Sequence, residues 1–440
     1  MIKAFHLLRV ATIIGLSPPV TAQAQVVTQY FPALGSGAGE LSEEPAQVKA
    51  ARAYQPLGYH SGPLTVHLDG DERVGYDSNA DLIQHGRKSS VINTQGHIGA
   101  VHLLDRNDQV HADVSVSDLR YPTRSLQNQT TWTANIGGTK HFGRDELGVA
   151  FTHLSLVQMP TESGALLILG PVPYTLDDGR ISYLLNTHGR LSFLPEFSIQ
   201  HYQFGKPRLL GNSPYQDQHY RDRVIINENI TARYQMMQNS HLLLLLQGTQ
   251  IEYQTGNLDL PARSSNGFAV MGGYSWNEAG PFQFRALIGY QRRIFASSLY
   301  GSISSPIAEA SIKWTPTRLT TVSATVSHGI EDAAFEGIVG YTNTSAQLSI
   351  THAYSRNIVF EAHAGLRKAH YPSSSPYLID HSPIGQLANN QSSYGGGGSV
   401  HVYLNRHLSL ELNYDFASQS AFMGPLFPVH IVMAGVHFAL

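Results

Sequence analysis

The sequence contains no cysteine, little charge and, after its N-terminus, no long apolar run. Without cysteine, no lipid anchor is expected and disulfide chemistry is avoided. Charged residues make up 14% of the chain, about half the share of a typical soluble domain, which disfavours a soluble enzyme with a charged surface. No apolar stretch approaches the ~18 residues of a membrane-spanning helix. The aromatic content of 10% disfavours a disordered chain, and the net charge of −3 gives no reason to expect nucleic acid as a partner.

The first 24 residues have the features of a secretory signal peptide. Lys3 supplies positive charge and Phe5 to Leu16 is largely apolar, while Ala22-Gln23-Ala24 fits the small-x-small cleavage rule. The mature chain is then expected to begin at Gln25, with an ordinary amphipathic N-terminus as the alternative. Residues 25–62 contain a flexible glycine-rich stretch and a polar stretch, and we interpret them as a periplasmic linker.

From residue 63 to the end, apolar and polar residues alternate with a period of two. In one segment the apolar positions are Leu408, Leu410, Leu412, Tyr414 and Phe416, and the polar positions are Ser409, Glu411, Asn413 and Asp415. Residues two apart in a β-strand share a face, so such segments have one apolar and one polar face. Helical spacing would instead distribute the leucines around the cylinder.

Short turns and longer connections also alternate along this region. Counting segments gives 18 strands joined by eight turns and nine loops, with 16 strands as the alternative count. This order predicts an all-β fold, an antiparallel transmembrane β-barrel over residues 63–440, with tight periplasmic turns and longer outer loops. Because lipid offers no hydrogen-bond partners, we expect the last strand to pair with the first. An array of β-sandwiches is the alternative, but it would show more surface Lys and Glu.

The segment around the first predicted strand resembles a known family. Pro56-Leu57-Gly58 precedes a strand that closes with the sequence VGYDSN at residues 74–79. This is similar to the opening of the putative β-barrel porin 2 family, in which a Pro-Leu-Gly stretch precedes a strand ending near Gly-Tyr-Asp-Asp-Asn; here Ser78 replaces the middle acid. The resemblance in strand rhythm and length covers residues 55–440. It implies an outer-membrane barrel, of a kind often associated with exopolysaccharide loci, without a settled substrate.

If the apolar alternates face lipid, the polar alternates face the lumen, and two groups of pore-lining candidates follow. The acidic group is Asp69, Asp71, Glu411 and Asp415, and the basic group is Arg221, Arg223, Arg233, Arg285 and Arg293. In an 18-strand ring the two groups lie about half a turn apart. We therefore expect a transverse field that orients polar solutes and selects them by charge. Scattered charges with local ion pairs are the alternative, because a register error of one residue inverts a strand.

Several other polar and aromatic residues are candidates for the lumen or the membrane interface. Four of the 22 histidines fall on predicted lumenal faces, namely His111, His363, His401 and His437. They would make the pore more cationic in acid, or would serve simply as hydrogen-bonding residues. Glu361 shares a face with His363, but no third ligand is placed, so no metal site is predicted. We expect the three tryptophans in interfacial girdles, with sugar stacking as the alternative. The glycines of residues 395–398 are expected to relieve crowding or to allow a bend, with close approach of a ligand or plug to the backbone as the alternative.

The sequence shows no Gly-x-Ser-x-Gly elbow, no His-Glu-x-x-His helix and no phosphate loop. We therefore expect neither an enzyme nor a cofactor. The chain is predicted to be an outer-membrane channel of a Gram-negative cell for the passive passage of polar solutes, with an accessory role in exopolysaccharide export implied by the resemblance. A plugged structural or assembly-partner barrel of an envelope secretion system is the alternative. Expected partners are outer-membrane lipid, the barrel-assembly machinery during biogenesis, and polar solutes or polysaccharide.

Overall fold

The chain forms one antiparallel sheet of 19 strands, in a computed structural model that describes residue 54 and residues 56–105, 108–162, 171–207, 217–256, 261–276, 280–333, 339–371, 391–419 and 426–440. The strands are β1 (Tyr59–Ser61), β2 (Leu64–Asp77), β3 (Ser89–Leu103), β4 (Gln109–Arg120), β5 (Gln129–Phe142), β6 (Asp145–Gln158), β7 (Val172–Asn186), β8 (Leu191–Phe204), β9 (Arg223–Met237), β10 (Ser240–Tyr253), β11 (Ser265–Trp276), β12 (Phe282–Phe295), β13 (Ser302–Thr317), β14 (Thr320–Glu331), β15 (Tyr341–Ala353), β16 (Ile358–His370), β17 (Gln391–Tyr403), β18 (Leu408–Gln419) and β19 (Phe427–Ala439). Short 3-10 helices occur at Ser125–Gln127 and His219–Arg221. Across these described ranges, none of the helices is long and apolar enough to cross a membrane.

Strands β2 to β19 close into an antiparallel barrel of 18 strands, as predicted. β19 returns to pair with β2, from Ile431↔Asp77 to Ala439↔Asp69. Beyond this ladder, the backbone N–H of Leu440 donates to the carbonyl of Leu68 at 2.8 Å. The first and last strands are therefore joined by backbone hydrogen bonds along the seam, which removes the cost of an unpaired edge in lipid.

The short strand β1 lies within the segment that the sequence analysis interprets as a linker. It pairs with the start of β2, from Tyr59↔Val66 to Ser61↔Leu64, and so covers the part of that edge which β19 does not reach. Gly62 makes the tight connection with a φ of +61°, a left-handed conformation that glycine adopts without steric cost. The predicted signal peptide, residues 1–24, and most of the predicted linker lie outside the described residues.

The two faces of the strands differ in the way that the alternation predicts. Apolar alternates are exposed on the outside of the barrel, as for Ile136 at 53% and Phe197 at 41%. Polar alternates such as Asp113 and Asn135 are buried and face the interior. In a closed barrel of this kind, the exposed apolar band is the surface that meets lipid.

The three tryptophans lie on this outer surface. Trp132 is close to one end of the barrel, and Trp276 and Trp314 are close to the other. Their exposed fractions are 42%, 46% and 47%. This position is typical of interfacial girdles and differs from the alternative of sugar stacking inside the pore.

The connections alternate between two ends of the barrel. Tight turns join β5 to β6, β9 to β10 and β13 to β14 at one end, where β2 begins and β19 ends. Longer connections leave the other end, including residues 159–171 between β6 and β7 and residues 332–340 between β14 and β15. These are termed the turn end and the loop end. In outer-membrane barrels the tight turns face the periplasm.

One part of the lumenal wall is apolar, which the alternation does not predict. Leu243 and Leu245 face inward and pack with Met271 and Leu287 in a buried cluster, whereas Leu244 is 49% exposed on the outside. Residues 242–246 are five consecutive leucines. Because both alternates are apolar there, the sequence pattern cannot assign the two faces.

Candidate solute pathway

One sector of the lumenal wall is open to solvent. Its inward-facing polar residues on β14 and β15 are exposed, namely Thr325, Ser327, Gln347 and Ser349. On the next strand, β16, the side chains of Glu361 and His363 are 43% and 36% exposed. Outward-facing apolar residues such as Val326 and Leu348 alternate with them. This open wall is a hydrophilic surface of hydroxyl, amide, carboxylate and imidazole groups inside the barrel.

Two strands further around the ring lies an acidic wall, formed by the four predicted acidic candidates. These are Asp69 and Asp71 on β2 and Glu411 and Asp415 on β18, and all four are buried. β19 lies between the two strands, as ring closure predicts. The structure therefore brings these four residues together in one sector of the lumen.

The acidic wall contains a buried cation of its own. Arg73 donates from Nε to Glu411 Oε2 at 3.0 Å, and its Nη2 lies 3.4 Å from Asp71 Oδ1. Its side chain is 1% exposed. Charges at this depth persist in a fold only when they are paired, so Arg73 and the two carboxylates depend on one another.

Histidines partner the carboxylates of the acidic wall. The contacts are His97 Nδ1 to Asp69 Oδ2 at 2.8 Å, His437 Nδ1 to Asp71 Oδ1 at 3.0 Å, and His363 Nε2 to Asp415 Oδ1 at 2.9 Å. His401 lies 4.0 Å from Glu411. The pairing is thus local and runs between neighbouring or next-neighbouring strands. The transverse field across the lumen remains a prediction.

The glycine run of β17 makes room for one of these pairs. β17 lies between β16 and β18, which carry His363 and Asp415 respectively. A Cβ on Gly397 would lie 2.4 Å from Asp415 Oδ1 and 2.9 Å from His363 Cε1. The missing side chain therefore lets the two groups meet across the intervening strand. This is the relief of crowding that the sequence predicts for residues 395–398.

Four arginines form a second charged region at the loop end, termed the arginine cluster. Arg221 ends the 3-10 helix after β8 rather than lying in a strand, Arg223 begins β9, Arg263 precedes β11, and Arg293 lies near the end of β12. Each guanidinium lies over an aromatic ring: Arg221 is 3.8 Å from Phe204, Arg223 is 4.3 Å from Tyr202, Arg263 is 4.9 Å from Tyr253, and Arg293 is 5.0 Å from Phe295. Such cation–π contacts stabilise a guanidinium away from bulk water.

Asp332, in the loop between β14 and β15, inserts its carboxylate into the arginine cluster. It contacts Arg293 Nη1 and lies 3.4 Å from Arg223 Nε. Arg263 Nη1 donates to the carbonyl of Ala333 at 2.7 Å. β9 and β14 lie five strands apart in the sheet, which at about 4.8 Å between neighbouring strands is about 24 Å around the barrel wall. The first residues after β14, Asp332 and Ala333, therefore extend away from β14 toward β9 at this end.

The charge of Asp332 is fixed by its surroundings. Burial alone would raise its pKa, but the charges of Arg293, Arg223 and Arg263 prevail and lower the pKa of Asp332 to about 2. The carboxylate is therefore an anion at every physiological pH, and the arginines around it act as a site that favours negative charge.

The first residues of the connection between β6 and β7 also pack against the barrel at the loop end. Met159 packs with Tyr121, Leu82 and Val429 in a buried apolar cluster. Glu162 of the same loop accepts a hydrogen bond from the Met159 backbone N–H at 3.0 Å. Burial raises the pKa of Glu162 to about 7, against the opposing charges of Arg367 and Arg221. The start of the β6–β7 connection is thus packed into the barrel at the loop end.

The remaining predicted basic residues lie at the opposite end of the barrel. Arg285, near the start of β12, pairs with Glu309 at 2.7 Å, and Arg233 lies near the end of β9. The predicted basic sector is therefore divided along the barrel axis. Arg263 and Asp332 are not among the predicted site residues, because alternation assigns faces only to residues in strands and both of these lie in connections. Their position directly beside a strand boundary is the signal that was available.

No group of three or more His, Asp or Glu residues suited to a metal ion occurs in the part of the chain that the structure describes.

The sequence profile described as "Putative beta-barrel porin 2" matches residues 52–440. The chain belongs to this family. It is therefore a porin-type β-barrel, a class of protein found in outer membranes. No curated protein matches it.

Solved structures with a similar fold include proteins of three bacteria. Pseudomonas aeruginosa OccK2 in complex with glucuronate is 12% identical, with a TM-score of 0.45, covering 87% of this chain and 100% of that chain. Acinetobacter baumannii OccAB3 is 9% identical, with a TM-score of 0.43, covering 86% and 100%. The FrpB iron transporter from Neisseria meningitidis is 8% identical, with a TM-score of 0.38, covering 85% and 81%.

Proposed function

We propose that this porin-family barrel is an outer-membrane channel for the passive passage of polar solutes. The observation that carries the proposal is the open wall, where inward-facing hydroxyl, amide and charged groups of β14 to β16 are exposed to solvent. A sealed lumen would bury such groups against partners, because an unpaired buried polar group is costly. Water in this sector would provide a path along the barrel for solutes that cannot enter lipid.

The proposal is tested with the purified full chain in a planar lipid bilayer. We expect discrete conductance steps in potassium chloride. Ser327→Trp, which adds an aromatic ring on the open wall, should lower the unit conductance. Val326→Trp is the matched control, since its side chain is 46% exposed on the lipid-facing side, and it should leave the unit conductance unchanged. A wild-type barrel that inserts without conducting, or equal conductance in the two variants, would count against the channel.

A plugged barrel is a second candidate function, and it is favoured by the packing at the loop end. There the β6–β7 loop packs into a buried apolar cluster, and Asp332 joins the arginine cluster from the opposite side. Such a barrel would serve as a structural or assembly partner in an envelope secretion system. It would insert without conductance and co-purify with periplasmic export proteins. The conductance measurement therefore separates the two candidates.

The accessory role in exopolysaccharide export and the export route of the chain itself are also part of the proposal. The first is supported by the family resemblance and predicts that gene deletion reduces secreted polymer while cell integrity is kept. The second predicts that the mature protein fractionates with the outer membrane and begins at Gln25. N-terminal sequencing of the purified protein tests that cleavage site, and a chain that still begins at Met1 would contradict it.

A further inference from the structure

We propose that the arginine cluster is a binding site for an oxyanion, namely the carboxylate or phosphate group of a polar solute that enters from the loop end. The inference deepens the proposed channel function by naming a class of solute. It concerns Arg221, Arg223 and Arg293 in particular, which are drawn from the 3-10 helix, β9 and β12.

The first step is the charge balance. Four arginines lie within electrostatic range of one another. Asp332 pairs with Arg223 and Arg293, and Glu162 interacts electrostatically with Arg221, so the arginines outnumber these carboxylates. Like charges gathered in a region of low dielectric repel one another strongly. A further anion would reduce this repulsion, so the cluster favours an anion over a cation or a neutral solute.

The second step concerns Arg221. Arg221 is 4% exposed. Its guanidinium donates to two neutral amide oxygens, Gln158 Oε1 at 2.7 Å and Gln218 Oε1 at 3.1 Å. Among the described residues no carboxylate lies within ion-pair distance of it. Burial lowers the pKa of Arg221 to about 10, and the charges of Arg223 and Arg263 add to that effect. A buried arginine whose partners are neutral amides has unmet demand for negative charge.

The third step concerns Arg293, which is 5% exposed. Its Nε donates to Ser265 Oγ at 2.7 Å and its Nη1 contacts Asp332. Its Nη2 is buried and has no hydrogen-bond partner in the described part of the chain. Leaving a charged donor unsatisfied costs more than leaving a neutral one. A ligand oxygen at Nη2 would satisfy this donor.

The fourth step is the chemical class of the ligand. Guanidinium groups present their N–H donors in a planar fork, which matches the two oxygens of a carboxylate or of a phosphate. The aromatic rings of Phe204, Tyr202 and Phe295 occupy one face of each guanidinium. The edges that carry the donors are therefore the part left to a ligand. An oxyanion uses this geometry, whereas chloride, as a point charge, does not.

The arginine cluster lies at the loop end of the barrel, beside the strand that carries part of the open wall. Asp332 directly follows Glu331, the last residue of β14, and β14 carries part of the open wall. The arginine cluster therefore lies at the loop end of the proposed pathway. An anionic solute that enters from outside would meet the cluster before it meets the open wall.

The test uses pyrophosphate and citrate as probes of the detergent-solubilised full chain, with affinity measured by isothermal titration calorimetry. Arg221→Gln and Arg293→Gln should each weaken binding about tenfold, the typical effect of losing a charge-assisted hydrogen bond. Arg292→Gln removes the same charge from the next residue, which is exposed on the outer face, and should leave affinity unchanged. Binding of one probe alone would assign the site to phosphate or to carboxylate groups.

Asp332→Asn tests the same site by an expected gain of probe affinity, whereas the arginine variants are expected to lose affinity. Removing the internal anion should tighten probe binding, a gain that misfolding cannot produce. In bilayers that conduct, either probe should block the current, with the block weakened in Arg221→Gln. Calorimetric binding without conductance would retain the site and reject the channel. Equal affinities in the wild type, Arg221→Gln and Arg293→Gln, or no binding of either probe, would overturn the site.

Discussion

The acidic wall and the arginine cluster are both charged lumenal regions, but they are built in different ways. In the acidic wall each carboxylate meets an imidazole or guanidinium from the same strand or a nearby one, as Asp69 does with His97 at 2.8 Å. In the arginine cluster the cations come from β9, β12 and two connections, and Arg221 has neutral amide partners. Strand register therefore places each buried carboxylate beside a hydrogen-bonding or ion-pairing partner, whereas the connections at the loop end bring several arginines together around Asp332. The first stabilises the barrel, and the second is suited to a ligand.

The largest effect that this comparison predicts is on stability of the acidic wall. Arg73→Met would leave Asp71 and Glu411 buried without their shared cation, and breaking a buried pair in this way costs about 3–5 kcal/mol. We expect the midpoint of urea unfolding, followed by tryptophan fluorescence, to fall accordingly. The triple variant Arg73→Met, Asp71→Asn, Glu411→Gln removes all three charges and should recover most of the loss. If the single variant were as stable as the wild type, the wall would not depend on internal pairing.

The next effect concerns the space that β17 leaves for the His363–Asp415 pair. Gly397→Ala would place a methyl group 2.4 Å from Asp415 Oδ1, and overpacking of this kind costs about 1–3 kcal/mol. Gly272→Ala is the control, because a Cβ there meets nothing within 4 Å. We expect only the first variant to lower the unfolding midpoint. Equal midpoints would mean that the pair can move aside and that the glycine run has another purpose.

A smaller effect is expected on ion selectivity, and it compares the two ends of the basic sector. Arg293→Gln removes a charge from the arginine cluster, where Arg293 shares the single carboxylate of Asp332 with Arg223. Arg285→Gln removes a charge whose field is reduced by a carboxylate of its own, Glu309 at 2.7 Å. Both should lower the preference for anions, with the larger shift in reversal potential for Arg293→Gln. The reversal potentials of the wild type and both variants, measured across a potassium chloride gradient, test this order. Unchanged reversal potentials in both variants would defeat the idea that lumenal charge selects solutes.

The sequence predicts the barrel well because its information is local. Alternation along residues 408–416 assigns faces, and the alternation of short and long connections orders the strands, so that 18 strands and the β19–β2 seam are confirmed. Partners are not local. That Arg73 meets Glu411 is set by the pairing of β2 and β18 through β19, and alternation in a single strand does not fix the register between strands.

Loops and uniform runs are where sequence reasoning fails in this chain. Asp332 and Arg263 lie outside the strands, so no periodicity indicates where they point. Residues 242–246 are all leucine, so alternation cannot show which of them face the lumen. Leu243 and Leu245 do, and this part of the lumenal wall is apolar. The candidate acidic residues form one group with local partners, while the candidate basic residues divide between the two ends. The missing information in each case is the path of a loop or the contact between distant strands.

The last predicted effect is a pH dependence that distinguishes the two connections at the loop end, β6–β7 and β14–β15. The raised pKa of Glu162, about 7 against an ordinary value of 4.5, means that the folded chain favours the protonated form. Its contribution to stability is therefore complete below pH 4.5 and is lost as the pH rises through about 7. Asp332, with a pKa of about 2, stays ionised throughout this window and contributes no change. Glu162→Gln mimics the protonated side chain, so the unfolding midpoint of the wild type should fall relative to that of Glu162→Gln between pH 5 and pH 8. Parallel curves for the two proteins would show that Glu162 stays in contact with water and would contradict its burial at the loop end.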